Sequence, residues 1–369
     1  MGIPPYEFPR RLRAAVVGCR GMGTGHAHHL GALPEYQLVA ACDINPEATA
    51  PLAAAFGGLK TFTSYDQMLR EAEPEVVVVA TNNVLHHPMV MAAANTPGVR
   101  GIYCEKPITT SYGLAREMVT TCQAKSIKLA INHQRRCMPV FTTMRRLIAE
   151  GAIGKPLMII GSNAGDVLSD GTHFVDTVRH LVGDSDLKWL LAQIYRDQPN
   201  REEPKAMGFN ASGGWRYGHP IETGAFAVME FANGIRAEVH SGKTVLPGRW
   251  YQHYEVIGSE GRLLRPNDSG QPNLLIQDAQ AGGYRAVEFD PFPDLGLVSP
   301  DVMAVIFRQF ARSLWFNEPH PLSGESALKD QEIVMAIYES ARTHTRITPP
   351  LLQDRFPLEL MIEAGQVPD

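Results

Sequence analysis

The sequence predicts an α/β protein in two parts: an N-terminal doubly wound parallel sheet, then an α/β domain built on a large, mainly antiparallel open sheet. Three observations predict this. Short, β-branched apolar runs at 13–18, 37–42, 75–80, 100–104 and 127–131 alternate with helical stretches, the order of a parallel sheet buried on both faces. The first run breaks into Gly18, Gly21 and Gly23, the kind of turn a strand-to-helix junction needs when its backbone must approach a ligand. After Asn132 the alternation stops and period-two runs take over, as in antiparallel strands. At 369 residues the chain exceeds what one core usually supports, so the division falls between 1–131 and 132–369.

The first part is built around its opening turn. Residues 14–23 read Ala-Ala-Val-Val-Gly-Cys-Arg-Gly-Met-Gly, and Asp43 closes the next apolar run, Gln37–Cys42. A buried strand, a glycine turn, a helix, a second strand and a terminal acid are what a dinucleotide requires. Backbone N–H groups at the helix N-terminus meet the pyrophosphate, and the acid accepts the ribose hydroxyls. Gly18, Arg20, Gly21, Met22, Gly23 and Asp43 are therefore candidate cofactor residues of a Rossmann domain, and the acid favours NAD. The usual spacing is G-x-G-x-x-G; here Arg20 stands where the second glycine belongs. Its side chain either meets the pyrophosphate or points to solvent. Further along, Asn45-Pro46 opens a helix over 46–56, and another covers 109–124.

In the second part a helix at about 137–150 ends at Gly151, a strand follows near 156–162, and a helix spans about 171–182. Strand-like runs continue to about 290, among them Ala225–Phe231, Ile235–His240 and Tyr251–Ile257, with Asn233-Gly234 as a hairpin turn. Two helices close the domain. One begins at Ser299-Pro300 with Val302, Val305, Ile306, Phe310 and Leu314 on one stripe, and the other runs from about Ser323 to Thr343. Residues 197–220, rich in Gly, Pro and charge, read as either a flap over the site or a surface loop.

Composition narrows the function. A net charge of −5 and an apolar fraction of 44 % fit neither a disordered chain nor a broad nucleic-acid surface. No apolar stretch approaches the ~20 residues of a membrane span. The run after Arg10-Arg11 is too short for a secretion signal, so a cytoplasmic setting is expected. The cysteines, Cys19, Cys42, Cys104, Cys122 and Cys137, are odd in number and lack a C-x-x-C pair, which reads as free thiols.

Two groups carry chemistry. Glu105-Lys106-Pro107 ends the 100–104 strand, placing a cation at the carboxyl edge of the sheet, where it can hold a substrate oxygen and favour alkoxide character. In the second part His173, Asp176 and His180 are spaced to share a helix face, and imidazole suits proton transfer at neutral pH. The cluster His26, His28 and His29 invites a metal reading, but no acid or cysteine stands near it in sequence; no metal is expected.

Together, Gly18–Gly23, Asp43, the Thr81–Pro88 segment, Glu105-Lys106-Pro107, Asn132–Pro139, His173–Gly183, Tyr254–Arg262 and Ser340–Arg342 resemble the glucose–fructose oxidoreductase / inositol dehydrogenase / rhizopine-catabolism (Gfo/Idh/MocA) family. In that family a lysine and a second-domain histidine serve the transferred proton, and an acid often stands four residues before the histidine. By position Lys106 matches the lysine and His173 the histidine. Ser169 occupies the acid's place, with Asp170 beside it as a substitute. Asp176 with His180 is the alternative working pair. The resemblance also assigns Thr81, Asn83, His86 and Glu105 to the cofactor, and Asn132, Arg136, His173 and His180 to the substrate.

The expected activity is NAD-dependent oxidation or reduction of a sugar, cyclitol or related polyol at a secondary hydroxyl. A glycoside hydrolase using NAD transiently, by oxidation, elimination and re-reduction, would show the same motifs. A non-catalytic nucleotide sensor is the third reading, disfavoured by the presence of both Lys106 and His173. Two mostly apolar faces on the 225–231 strand leave one in need of a partner, and the resemblance implies a homodimer or homotetramer.

Overall fold

A computed structural model describes residues 8–197, 211–212, 214–247, 249, 251–268, 272–278, 282–288 and 301–368. The chain forms two compact units: Met1–Thr109 with Leu114–Cys137 and Pro291–Leu328, and Thr110–Gly113 with Met138–Asp290 and Lys329–Asp369.

The first unit contains β1 (Leu12–Val17), α1 (Met22–Ala32), β2 (Tyr36–Cys42), α2 (Pro46–Ala55), β3 (Lys60–Phe62), α3 (Tyr65–Ala72), β4 (Val76–Val79), α4 (His86–Ala94), β5 (Gly101–Cys104), most of α5 (Tyr112–Ala124) and β6 (Lys128–Ile131). Its sheet runs β3-β2-β1-β4-β5-β6, all parallel, with the order reversing between β1 and β4. That reversal opens the ligand crevice of a doubly wound sheet. The strands are apolar throughout because both faces are covered. Leu12, Ala14 and Val16 of β1 and Val76 and Val78 of β4 enter one core, while Ala15, Val17, Val77 and Val79 enter the other. Local signals match: Asn45 accepts the Glu47 N–H at 3.0 Å and Pro46 fills the first turn of α2, so the helix starts where the sequence places it. β3, three residues at the sheet edge, has no apolar run to announce it.

The second unit holds α6 (Pro139–Ala149), β7 (Pro156–Asn163), α7 (Gly171–Leu181), β8 (Leu187–Tyr195), β9 (Ala211–Ser212), β10 (Trp215–Arg216), β11 (His219–Pro220), β12 (Gly224–Phe231), β13 (Arg236–Gly242), β14 (His253–Gly258), β15 (Gly261–Arg265), β16 (Leu275–Asp278) and β17 (Arg285–Ala286). Eight strands form one sheet, β17-β16-β15-β14-β7-β13-β12-β8, in which β13 and β7 are parallel and the other pairs antiparallel. β9–β11 make a separate small sheet. On β12 Ala225, Ala227, Met229 and Phe231 are buried, whereas Phe226, Val228 and Glu230 are only half-buried. Val228 lies opposite Leu191 of β8, itself 45 % exposed, so the outer face keeps an apolar strip.

Three helices follow: α8 (Val302–Phe316), α9 (Gly324–Thr343) and α10 (Pro357–Glu363). The sequence places both long helices in the second part. The structure instead groups α8 with the first unit, because Ile306, Phe307, Phe310 and Ala311 share a core with Leu12, Val16, Tyr36 and Tyr103. The Tyr36 hydroxyl also donates to the Phe307 carbonyl at 2.6 Å. The expected start at Ser299-Pro300 lies outside the described residues; α8 is capped by Asp301, which accepts the Met303 N–H at 2.9 Å. Of the 197–220 stretch, 198–210 and 213 lie outside the described residues, and Trp215–Pro220 is the β10–β11 hairpin. Among the described residues no helix is long and apolar enough to cross a membrane.

Candidate active site

In the first unit the glycine turn is closed to side chains where it matters. Gly18 has φ +83°, and a Cβ there would run into the Ala80 carbonyl; a Cβ on Gly23 would strike the Gly18 carbonyl. Gly21 has φ +47° and open space around it. α1 then begins without a side-chain cap, with the Gly23 N–H donating to the Arg20 carbonyl at 3.0 Å, so its N-terminal turn carries no side chain in a ligand's place. Arg20 is exposed, and among the described residues its side chain has no ion pair or hydrogen bond; Met22 beside it is 47 % exposed.

The half-buried Asp43 carboxylate is oriented by backbone: Oδ2 accepts the Cys19 N–H and Oδ1 the Asn45 N–H, each at 2.9 Å. Each oxygen keeps a lone pair for a ribose hydroxyl. Thr81, at the end of β4, has a buried hydroxyl with no partner. A turn that bars side chains at Gly18 and Gly23, a helix without a side-chain cap, an oriented acid and an orphaned hydroxyl fit a dinucleotide. Among the described residues no disulfide joins the cysteines; burial, with help from Asp43, pushes the Cys19 thiol up to about 12.

Lys106 is half-buried and heads a cis peptide to Pro107. The residues around it brace it. Glu105 Oε1 lies 2.6 Å from His26 Nε2 and accepts Asn132 Nδ2 at 2.7 Å, while the Tyr103 hydroxyl donates to Asn132 Oδ1 at 2.6 Å. Burial alone would raise the Glu105 carboxyl, but the His26 and Asn132 hydrogen bonds and the Lys106 charge outweigh it and hold it below the usual range. His86 is buried between two carbonyls, Pro107 O at 2.7 Å from Nδ1 and Thr81 O at 3.1 Å from Nε2. Glu105, Asn132 and His86, which the sequence assigns to cofactor or substrate, are thus held at the strand ends by partners within the unit. Asn83 is buried in the 3-10 turn Asn83–Leu85, and Arg136 in the turn Gln134–Cys137. The three clustered histidines diverge: His26 meets Glu105, His29 Nδ1 lies 3.1 Å from Asp301, and His28 sits beside the Phe56 ring.

In the second unit every residue of α7 is buried, and His173, Asp176 and His180 fall on it at the expected spacing. His180 has a fixed role. Arg145 Nη1 donates to its Nδ1 at 2.9 Å and to Asp184 Oδ2 at 2.5 Å. A guanidinium only donates, so Nδ1 must accept and the ring is the neutral Nε2–H tautomer. The Asp170 carboxylate takes Arg216 Nη1 at 2.7 Å, and the same nitrogen reaches Asp166 Oδ2 at 2.9 Å. Ser169 Oγ lies 3.1 Å from His219 Nε2. Sequence reasoning misses Arg145, Arg216, His219 and Glu222: they come from segments 30 or more residues from their partners, with no spacing to announce them.

Residues 12–133 match the oxidoreductase family described as an NAD-binding Rossmann fold, and residues 161–348 match its C-terminal alpha/beta domain. The chain is 24 % identical over 322 residues to levoglucosan dehydrogenase of Pseudarthrobacter phenanthrenivorans, covering 76 % of this chain and 81 % of that one. It is 21 % identical over 333 residues to myo-inositol 2-dehydrogenase of Thermotoga maritima, covering 85 % and 91 %. A levoglucosan dehydrogenase solved with NADH shares the fold at a TM-score of 0.74 and 21 % identity, over 93 % of this chain and all of that one. An oxidoreductase from Agrobacterium radiobacter, solved with NAD+, L-tartaric acid and magnesium, does so at 0.71 and 20 %, over 92 % and 98 %. The glycine turn with its oriented acid and the two matched domains give one conclusion: the chain belongs to the Gfo/Idh/MocA family of NAD-binding oxidoreductases.

Proposed function

We propose that the protein moves a hydride between NAD and a secondary hydroxyl of a sugar, cyclitol or related polyol. The observation that carries the reading is Lys106 at the carboxyl end of β5, in the same unit as a glycine turn that bars side chains at Gly18 and Gly23 and an oriented Asp43. Relatives named for levoglucosan and myo-inositol support the substrate class. Gly18, Gly21, Gly23, Met22, Thr81 and Asn83 would hold the cofactor, with Asp43 on the adenosine ribose and Arg20 near the pyrophosphate. When bound, NAD supplies the hydride acceptor in oxidation and the donor in reduction.

The chain's own groups handle the oxygen and its proton. The Lys106 ammonium holds the reacting oxygen and stabilises its negative charge as the C–H bond breaks. His173 takes the hydroxyl proton, with Asp176 three residues on along α7 as the neighbouring acid. His180 stays a donor on the substrate side, with Arg136 as a second contact. Oxidation thus yields a ketone, reduced cofactor and one proton left on His173.

The first unit carries the cofactor, and the second the substrate groups and an oligomer interface on the outer face of its sheet. Five cysteines without a disulfide suit a reducing cytoplasm. The unpaired Arg20 favours one second reading, an NAD-retaining glycoside hydrolase, because a cation at the pyrophosphate slows cofactor release. The deciding experiment incubates purified protein with levoglucosan, myo-inositol, free sugars and aryl glycosides, following NADH absorbance and sugar release together. NADH formed in proportion to substrate consumed supports the dehydrogenase. Sugar released without net NADH overturns it in favour of the hydrolase.

A further inference from the structure

We infer that Arg216 is a positioning residue for His173, acting through the five residues that lead into α7. This rests on the proposed role of His173. Residues 166–170 are gripped at four of five positions by one short stretch, 216–222. Arg216 Nη1 donates to both Asp166 and Asp170, His219 pairs with Ser169, and Glu222 Oε1 accepts the Val167 N–H at 2.7 Å. The fifth residue, Leu168, is fully buried. The grip is possible because Tyr217 (φ +49°) and Gly218 (φ +90°) turn the β10–β11 hairpin sharply, so that Arg216 and His219 pair across it.

The lead-in transmits its position directly. Asp170 stands at the N-cap of α7, and its carbonyl accepts the His173 N–H at 3.2 Å. Asp166 and Asp170 carry like charge at opposite ends of the lead-in, and one guanidinium nitrogen shared between them fixes that span. Both carboxylates that share Arg216 Nη1 lie in the lead-in, so the guanidinium acts on the start of the helix. With Ser169 in the place where the resemblance puts an acid, the helix start is what aims His173.

The test uses full-length protein with 15N-labelled histidine, bound to NADH, its His173 ring signals assigned by His173→Ala. Lysine keeps the cation of Arg216 but cannot offer a planar donor to two carboxylates. Arg216→Met strands two buried carboxylates, so Arg216→Met/Asp170→Asn accompanies it in case the single variant does not fold. The expected result is shifted and broadened His173 ring signals in the Met-containing variants, partly restored in Arg216→Lys, with NADH affinity unchanged. On levoglucosan or myo-inositol, whichever is turned over, kcat falls about 10- to 100-fold at constant KM. Folded variants with unchanged His173 signals overturn the inference, whether or not either compound is a substrate. Full turnover by His173→Ala overturns the role of His173 instead, and the ring signals still report whether Arg216 holds the helix.

Discussion

Arg145 donates to Nδ1 of His180 at 2.9 Å, and this contact separates two histidines that sequence spacing leaves equivalent. To accept a proton at Nδ1, His180 would have to give up a guanidinium and become a cation beside it.

His173→Ala should therefore lower kcat by about 10²–10⁴, and Lys106→Met by a similar factor, since each removes a group that handles the reacting oxygen or its proton. His180→Gln, which can still accept from Arg145, should cost less than about tenfold. Steady-state rates and NADH binding for the three variants check this. A severe His180→Gln beside a near-normal His173→Ala would reassign the proton to the Asp176–His180 pair.

Cofactor choice should follow Asp43. Its carboxylate is held by two backbone N–H groups and would face the 2′-phosphate of NADP, a like-charge contact costing on the order of a few kcal/mol. NAD should bind at least tenfold tighter than NADP, and Asp43→Ser should narrow the gap. Titration by protein fluorescence gives both constants. Equal binding by the parent protein would implicate Arg20 as a counter-charge.

Glu222 should make stability fall with rising pH. Burial, with the Asp166 charge, lifts its carboxyl from the usual 4.5 to about 7, against the hydrogen bonds from Tyr338 and the Val167 N–H. Between those values the unfolded chain has released the proton that the fold retains, so stability declines across the window and levels off above it. Glu222→Gln should melt about as the parent does near pH 4.5 and a few degrees higher at pH 8. Parallel melting curves across that range would show that Glu222 does not titrate there.

The outer face of the eight-stranded sheet should associate. Val228 and Leu191 face each other across β12 and β8 on its half-exposed side. Val228→Glu should shift a dimer or tetramer toward monomer in light scattering at micromolar concentration. A parent protein already monomeric there would sink the proposed interface.

The sequence is most legible where structure is local. Ala14–Val17 of β1 and Val76–Val79 of β4 announce themselves as unbroken apolar runs, and Asn45-Pro46 marks the start of α2. Gly18 and Gly23 are readable because only glycine fits against the Ala80 and Gly18 carbonyls. What is not legible depends on distant partners. Asp170 looks available beside Ser169, but its carboxylate belongs to Arg216, 46 residues on in a Gly- and Pro-rich stretch that has no periodicity. His86 sits in a motif that suggests a ligand contact, yet both ring nitrogens meet backbone carbonyls, which no side-chain pattern can announce. The stripe on α8 shows that one face is buried, but not that it is buried against strands nearly 300 residues earlier.

That last arrangement governs the order in which the protein can mature on the ribosome. Chains usually fold from the N-terminus as they emerge, domain by domain. Here the six-stranded sheet is complete at Ile131, yet one of its faces waits for Ile306, Phe307 and Phe310. Until translation passes Phe316, Leu12, Val16 and Tyr103 lack that cover, and the whole second-unit sheet has been synthesised in the meantime. The nucleotide-binding half, first to be made, is therefore among the last to close.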